Sequence, residues 1–204
     1  MFIDNLAIEL FSIAFFGILM LYMTIGIYYD YKKRGTKNVY DRITPGIVPL
    51  AILGIFIFIM ALIGEITWPL PGSYNILFYD PYVMLGIITL GFVVSSAYKN
   101  KLSYIGILAL FTGIMLFYYG YSGYKAGLTQ SPLALFALYV SFGFAGILAY
   151  PVTLILDTLP GAKKNPSVMW SVALYLFWFF IFAGVVLAAF TGVMALPSHL
   201  SSPP

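Results

Sequence analysis

The sequence predicts an all-α fold, a six-helix transmembrane bundle, on three grounds. Charged residues are only 8% and hydrophobic residues 62% of the 204, and the mean hydropathy is +0.97. A soluble chain is about one quarter charged, so most of this exterior must meet lipid. Six uncharged runs follow one another at 10–29, 43–64, 81–98, 102–124, 126–156 and 165–204. Each holds a helix of roughly 20 residues, the length that crosses a hydrocarbon core of about 30 Å. None alternates polar and apolar at every second position, as the strands of a membrane barrel do.

The first helix is read at about 6–29. Asp4 and Asn5 can cap its start, and Glu9 favours the positive end of its dipole. No basic residue precedes it and no small-residue cleavage site follows, so it reads as a retained helix rather than a signal peptide. The second helix, 44–64, is expected to open at Thr44-Pro45, because a cap residue followed by proline marks a helix start. The same pattern at Asp80-Pro81, Ser131-Pro132 and Asn165-Pro166 places the third, fifth and sixth helices at 81–98, 132–156 and 167–196. The fourth, 102–124, carries the stripe Gly106, Gly113, Gly120 and Gly127. Such a stripe lets another backbone approach along one seam, which makes this helix the packed centre. Pro151 is expected to kink the fifth helix. Residues 1–204 then form a single integral membrane domain.

Basic residues set the orientation. Nine of the ten lie in the loops at 30–42, 99–101 and 163–164, and only Lys125 lies at the opposite face. By the positive-inside rule both termini are outside, an N-out/C-out topology in a multi-pass protein of the cell membrane. The net charge of +3 therefore reports topology, not nucleic-acid binding.

On the outer face the stretch 64–82, between the second and third helices, reads as an apolar cap. It is too apolar to float in water, so it lies in the interface or folds over the bundle mouth. Its Glu65, Trp68, Tyr74, Asn75 and Asp80, with Glu9, form a candidate polar cluster. The acids could attract a cation or accept hydrogen bonds from a partner. They also have structural readings, Asp80 as the cap of the third helix and Glu9 at a helix N-terminus. The tyrosines at the outer end of the fourth helix, Tyr118, Tyr119, Tyr121 and Tyr124, form either an aromatic belt or a ligand pocket.

Other chemistry is missing. There is no cysteine, and the lone histidine, His199, lies in the tail. Haem, copper and di-iron sites need several such ligands on facing helices, so no metal and no cofactor is expected. No charged residue sits near a helix midpoint, where ion-coupled carriers place one. Thr24, Thr89, Thr112, Ser141 and Thr191 could bond between helices or line a narrow path.

The segment EITWPLPGSYNILFYDPY at 65–82, followed by Leu-Gly-Ile at 85–87, resembles an uncharacterised family of small polytopic membrane proteins. The family is classed as a domain of unknown function and occurs in thermoacidophilic archaea and some bacteria. The resemblance implies an integral membrane protein of archaeal type and no particular activity.

The leading expectation is a non-enzymatic, cofactor-free subunit of a larger membrane assembly, such as a respiratory one. Its partners would be membrane lipids and other subunits or copies of itself. The alternative is a small-solute transporter or channel with a vestibule under the 64–82 cap. A weak similarity between 17–22 and 113–118 hints at the inverted repeat such proteins use. A third reading, an intramembrane enzyme acting on lipid through Glu65 and Asp80, requires the two carboxyls to converge on one pocket.

Overall fold

The computed structural model describes residues 5–162 and 168–201. The helices are α1 (Asn5–Tyr29), α2 (Tyr40–Thr67), α3 (Ser73–Ala97), α4 (Ser103–Lys125), α5 (Pro132–Thr158) and α6 (Val168–Ser201). Among the described residues six helical segments are long and apolar enough to cross a membrane, the fold class expected. Large apolar side chains such as Phe15, Phe111 and Phe179 remain on the outside of the bundle. Helices that are apolar all round are found in the core of a large protein or in a membrane.

The helices close into a ring. α4 lies along α5, α2 along α3, and α1 and α5 both along α6, whereas the α1–α2 and α3–α4 seams are lighter. The main core joins α1, α2, α5 and α6 through residues such as Leu10, Leu50, Leu156 and Phe177. Across it the indole Nε1 of Trp178 donates to Thr24 Oγ1 at 2.9 Å. A second core of Ile57, Ala61, Tyr79 and Tyr82 holds α2 to α3.

The stretch 64–82 is a helical hairpin, not a cap. α2 runs on to Thr67 and stops where Trp68 turns left-handed, at φ 47°. Pro69 and Pro71 follow and cannot continue a helix. After Gly72 the chain becomes helical again at Ser73, so the apolar residues assigned to a cap are the first turns of α3. Pro81 therefore lies inside α3, and Asp80 caps nothing. The missing N–H of Pro81 frees the carbonyl of Leu77, and the hydroxyl of Tyr139 on α5 donates to that oxygen. In lipid a freed carbonyl needs such a partner.

Other boundaries differ in the same way. α2 begins at Tyr40, leaving Pro45 and Pro49 inside it, so Thr44-Pro45 is not its start. Ser131-Pro132 does open α5. Asn165-Pro166, Lys163, Lys164 and Asp4 lie outside the described residues, as does the side chain of His199. α4 ends at Lys125, so Gly127 is not in the helix but in the turn beyond it, at φ +63°. α6 continues through Pro197, where a tail was expected.

At the basic end, Asp30 receives Arg42 Nε at 2.6 Å and Nη2 at 3.1 Å, with Arg34 at 3.3 Å. The bidentate pair ties α1 to α2. Asp157 on α5 accepts the backbone N–H groups of Leu102 and Ser103 at 2.8 and 2.9 Å. These are orphan donors at the start of α4, so a carboxylate from another helix caps it.

Candidate functional site: two cavities divided by α3

Residues 80–82 of α3 separate two cavities, each partly open to the exterior. Tyr82 lines a central cavity, Asp80 lines a lateral one, and Pro81 borders both.

The central cavity has a volume of about 170 Å³ and runs between α1, α3, α4, α5 and α6. It reaches from Glu9 and Tyr139 at the acidic end to Gly106 and Thr153 at the basic end. Its wall takes in positions 105–116 of α4 and 138–153 of α5. At about 1.5 Å per residue these are roughly 16 and 22 Å of helix. A volume of that size drawn out over that length is slender, one chain wide. Engineered cavities of about 150 Å³ already admit a benzene ring. Almost every lining group is apolar, and Gly106, Gly113 and Gly146 contribute wall without side chains.

Glu9 is the exception. It was expected on the wet outer rim, yet it is 3% exposed and its Oε1 has no hydrogen-bond partner. Ser12, one turn on, gives its own proton to the carbonyl of Glu9 at 2.8 Å. The 2.6 Å bond between Ser12 and Tyr82 must therefore run from the phenol to the serine. The Tyr79 hydroxyl faces Glu9 and Asn5, though in no hydrogen bond of good geometry. Tyr79 packs flat on α2, where a Cβ on Gly64 would come within 2.0 Å of its ring.

The lateral cavity, about 350 Å³, lies between α2, α3 and α4 and is lined by Glu65, Asp80, Thr112 and Tyr119 among others. Tyr119 Oη donates to Asp80 Oδ2 at 2.5 Å. The Glu65 carboxyl faces that of Asp80, and its Oε1 is unpartnered. Two carboxyls therefore converge on one space, as an acid-based chemistry would need. Among the described residues no Ser, Lys or His lines either cavity. The pair can accept hydrogen bonds or hold positive charge.

Thr112 joins the two spaces. It lines both, along with Pro81 and Leu116. It is 8% exposed and its Oγ1 lacks a partner. Buried Ser96 is unpartnered like Thr112, while buried Thr24, Thr89 and Ser141 bond back to the carbonyl four residues before them. That is the usual resolution in a helix interior, and Thr112 does not use it.

The remaining candidates scatter. Asn75 is fully buried in the hairpin, where Nδ2 donates to the Gly64 carbonyl at 3.2 Å and Oδ1 accepts the Leu70 N–H at 3.3 Å. Tyr74 Oη accepts the Thr129 N–H at 3.0 Å, tying α3 to the turn after α4. Trp68 is 47% exposed and lines neither cavity. Gly106, Gly113 and Gly120 face α5, where an added Cβ would meet Thr153, Gly143 and Tyr139 at 2.0, 2.5 and 2.6 Å. Gly127 faces open space. Among the described residues no three acidic or histidine side chains are grouped as a metal would require. Tyr139 carried no signal in the sequence, because its role depends on a proline in another helix.

Fold and cavities together define a class: an α-helical bundle of six described helices long and apolar enough to cross a membrane, with a cavity at its centre. The chain belongs to the family described as protein of unknown function (DUF981), whose model matches residues 1–202. Comparison with curated proteins gave no match, and neither did comparison with solved structures.

Proposed function

We propose that this is a multi-pass protein of the cell membrane that binds a chain-like apolar molecule in its central cavity and carries it across part of the bilayer. The supporting observation is the slender cavity running from Glu9 to Thr153, between the two ends of the bundle. This is the transporter reading with its vestibule moved: the lateral cavity between α2, α3 and α4 takes the place of a space under a cap. The distribution of Lys and Arg, nine against one, supports an outside position for that acidic end.

Ala145 is buried and lines the cavity. Ala145→Leu is expected to remove binding while leaving the fold stable, since filling a cavity commonly adds about 0.5–2 kcal/mol. The check is mass spectrometry of solvent extracts from gently purified protein. Wild type should carry a stoichiometric chain-like molecule, and the variant should not. A wild type with no such molecule, or a variant that retains it, overturns the reading.

No specific contact in the bundle favours the other reading, a cofactor-free subunit of a larger assembly such as a respiratory one. That proposal stands or falls on particle size, and a lone monomer from mild detergent ends it.

A further inference from the structure

The polar end of the central cavity has a chemistry of its own. Glu9 is buried with Oε1 unpartnered. Around it, Ser12 spends its proton on a backbone carbonyl, Tyr82 spends its own on Ser12, and Tyr139 donates to Leu77. Tyr79 faces the carboxyl and has one proton to offer it, but no charge. Of the described basic residues only Lys125 lies at this end of the bundle, and it is exposed. An ionised carboxyl in such a place needs both hydrogen-bond donors and a compensating charge, and a cationic ligand would favour that form. The protein supplies neither in full. The rest of the wall, down to Thr153, is almost wholly apolar.

We propose that the molecule held here is a single-chain amphiphile with a cationic head, a long-chain primary amine being the simplest. Its ammonium group takes Glu9 Oε1 as acceptor, and its tail lies along α4 and α5 toward Thr153. This rests on the carrier reading above and adds the class of ligand to it. The route in is the light α3–α4 seam, where the two cavities share Pro81, Thr112 and Leu116. The facing carboxyls of Glu65 and Asp80 border that seam. They present acceptors to a positive head, and the free Thr112 hydroxyl gives it one polar contact at the neck. A fatty acid would bring a second carboxyl to the same end.

The test compares hexadecylamine, hexadecanol and hexadecanoic acid as ligands of the full chain in nanodiscs of neutral lipid, read by native mass spectrometry. The amine should bind most tightly. Glu9→Gln should weaken the amine roughly tenfold to a hundredfold, the worth of a charge-assisted bond, and leave hexadecanol unchanged. Equal binding of amine and alcohol to wild type overturns the inference, as does a Glu9→Gln loss shared by both. If Glu65→Gln with Asp80→Asn removes the amine preference and Glu9→Gln does not, the assignment to Glu9 is overturned. If no probe binds and Ala145→Leu changes nothing, the carrier reading itself fails, a result distinct from a lost preference.

Discussion

Gly113→Ala is expected to lower the melting temperature of the detergent-solubilised protein by roughly 4–8 °C, or to prevent its accumulation. Two effects oppose each other. Alanine favours a helix over glycine by about 1 kcal/mol. Against that, a Cβ at 113 would sit 2.5 Å from the Gly143 carbonyl oxygen and 2.7 Å from the Ile147 nitrogen. Both are backbone atoms of α5, so no side chain can swing away and the helices must part along their longest contact. Overpacking costs about 1–3 kcal/mol even where neighbours can adjust, so the clash wins. Gly161 meets nothing within 4 Å, and Gly161→Ala is the control, with no change expected. A Gly113→Ala protein as stable as wild type would mean that α4 and α5 do not pack backbone to backbone.

Glu9→Leu should act in the opposite direction and raise the melting temperature of the ligand-free protein. A buried polar atom without a partner costs about 1–3 kcal/mol, and leucine removes it from an otherwise apolar wall. The lost attraction to the α1 dipole is small, because that effect fades beyond the first turn and Glu9 is already past it. The net gain is about 1–2 kcal/mol, or a few degrees. The same variant should lose its preference for an amine over an alcohol. A group that destabilises the empty protein yet favours the loaded one is behaving as a binding residue. A fall in melting temperature would make Glu9 a structural residue instead.

The six long helices were legible because charge is scarce and falls toward the ends of the apolar runs, so the runs alone count the helices. Helix starts were legible only where local chemistry decides them. Ser131-Pro132 opens α5, but Asp80-Pro81 does not open α3, since a tyrosine on another helix satisfies the carbonyl that Pro81 frees. Nothing near position 81 announces this. The convergence of Glu65 and Asp80 was half visible, for both belong to the hairpin stretch, while Tyr119 reaches them from α4. The burial of Glu9 was hidden for a different reason. An acid one turn into a helix reads as a dipole partner, and only the closure of five helices around it turns it into a cavity wall. The glycines of α4 carried a spacing that a packed seam would use, but not the turn that takes Gly127 out of it.

The bond from Tyr139 to Leu77 links two positions that are far apart in the chain. Descendants of this protein should not change residues 81 and 139 independently. A lineage that replaces Pro81 restores an amide hydrogen for Leu77 and frees its tyrosine to drift to phenylalanine. One that loses the tyrosine first strands a carbonyl in oil. The order of loss is therefore biased, proline before phenol, and across the family this should show as a correlated pair that no local pattern around either residue explains.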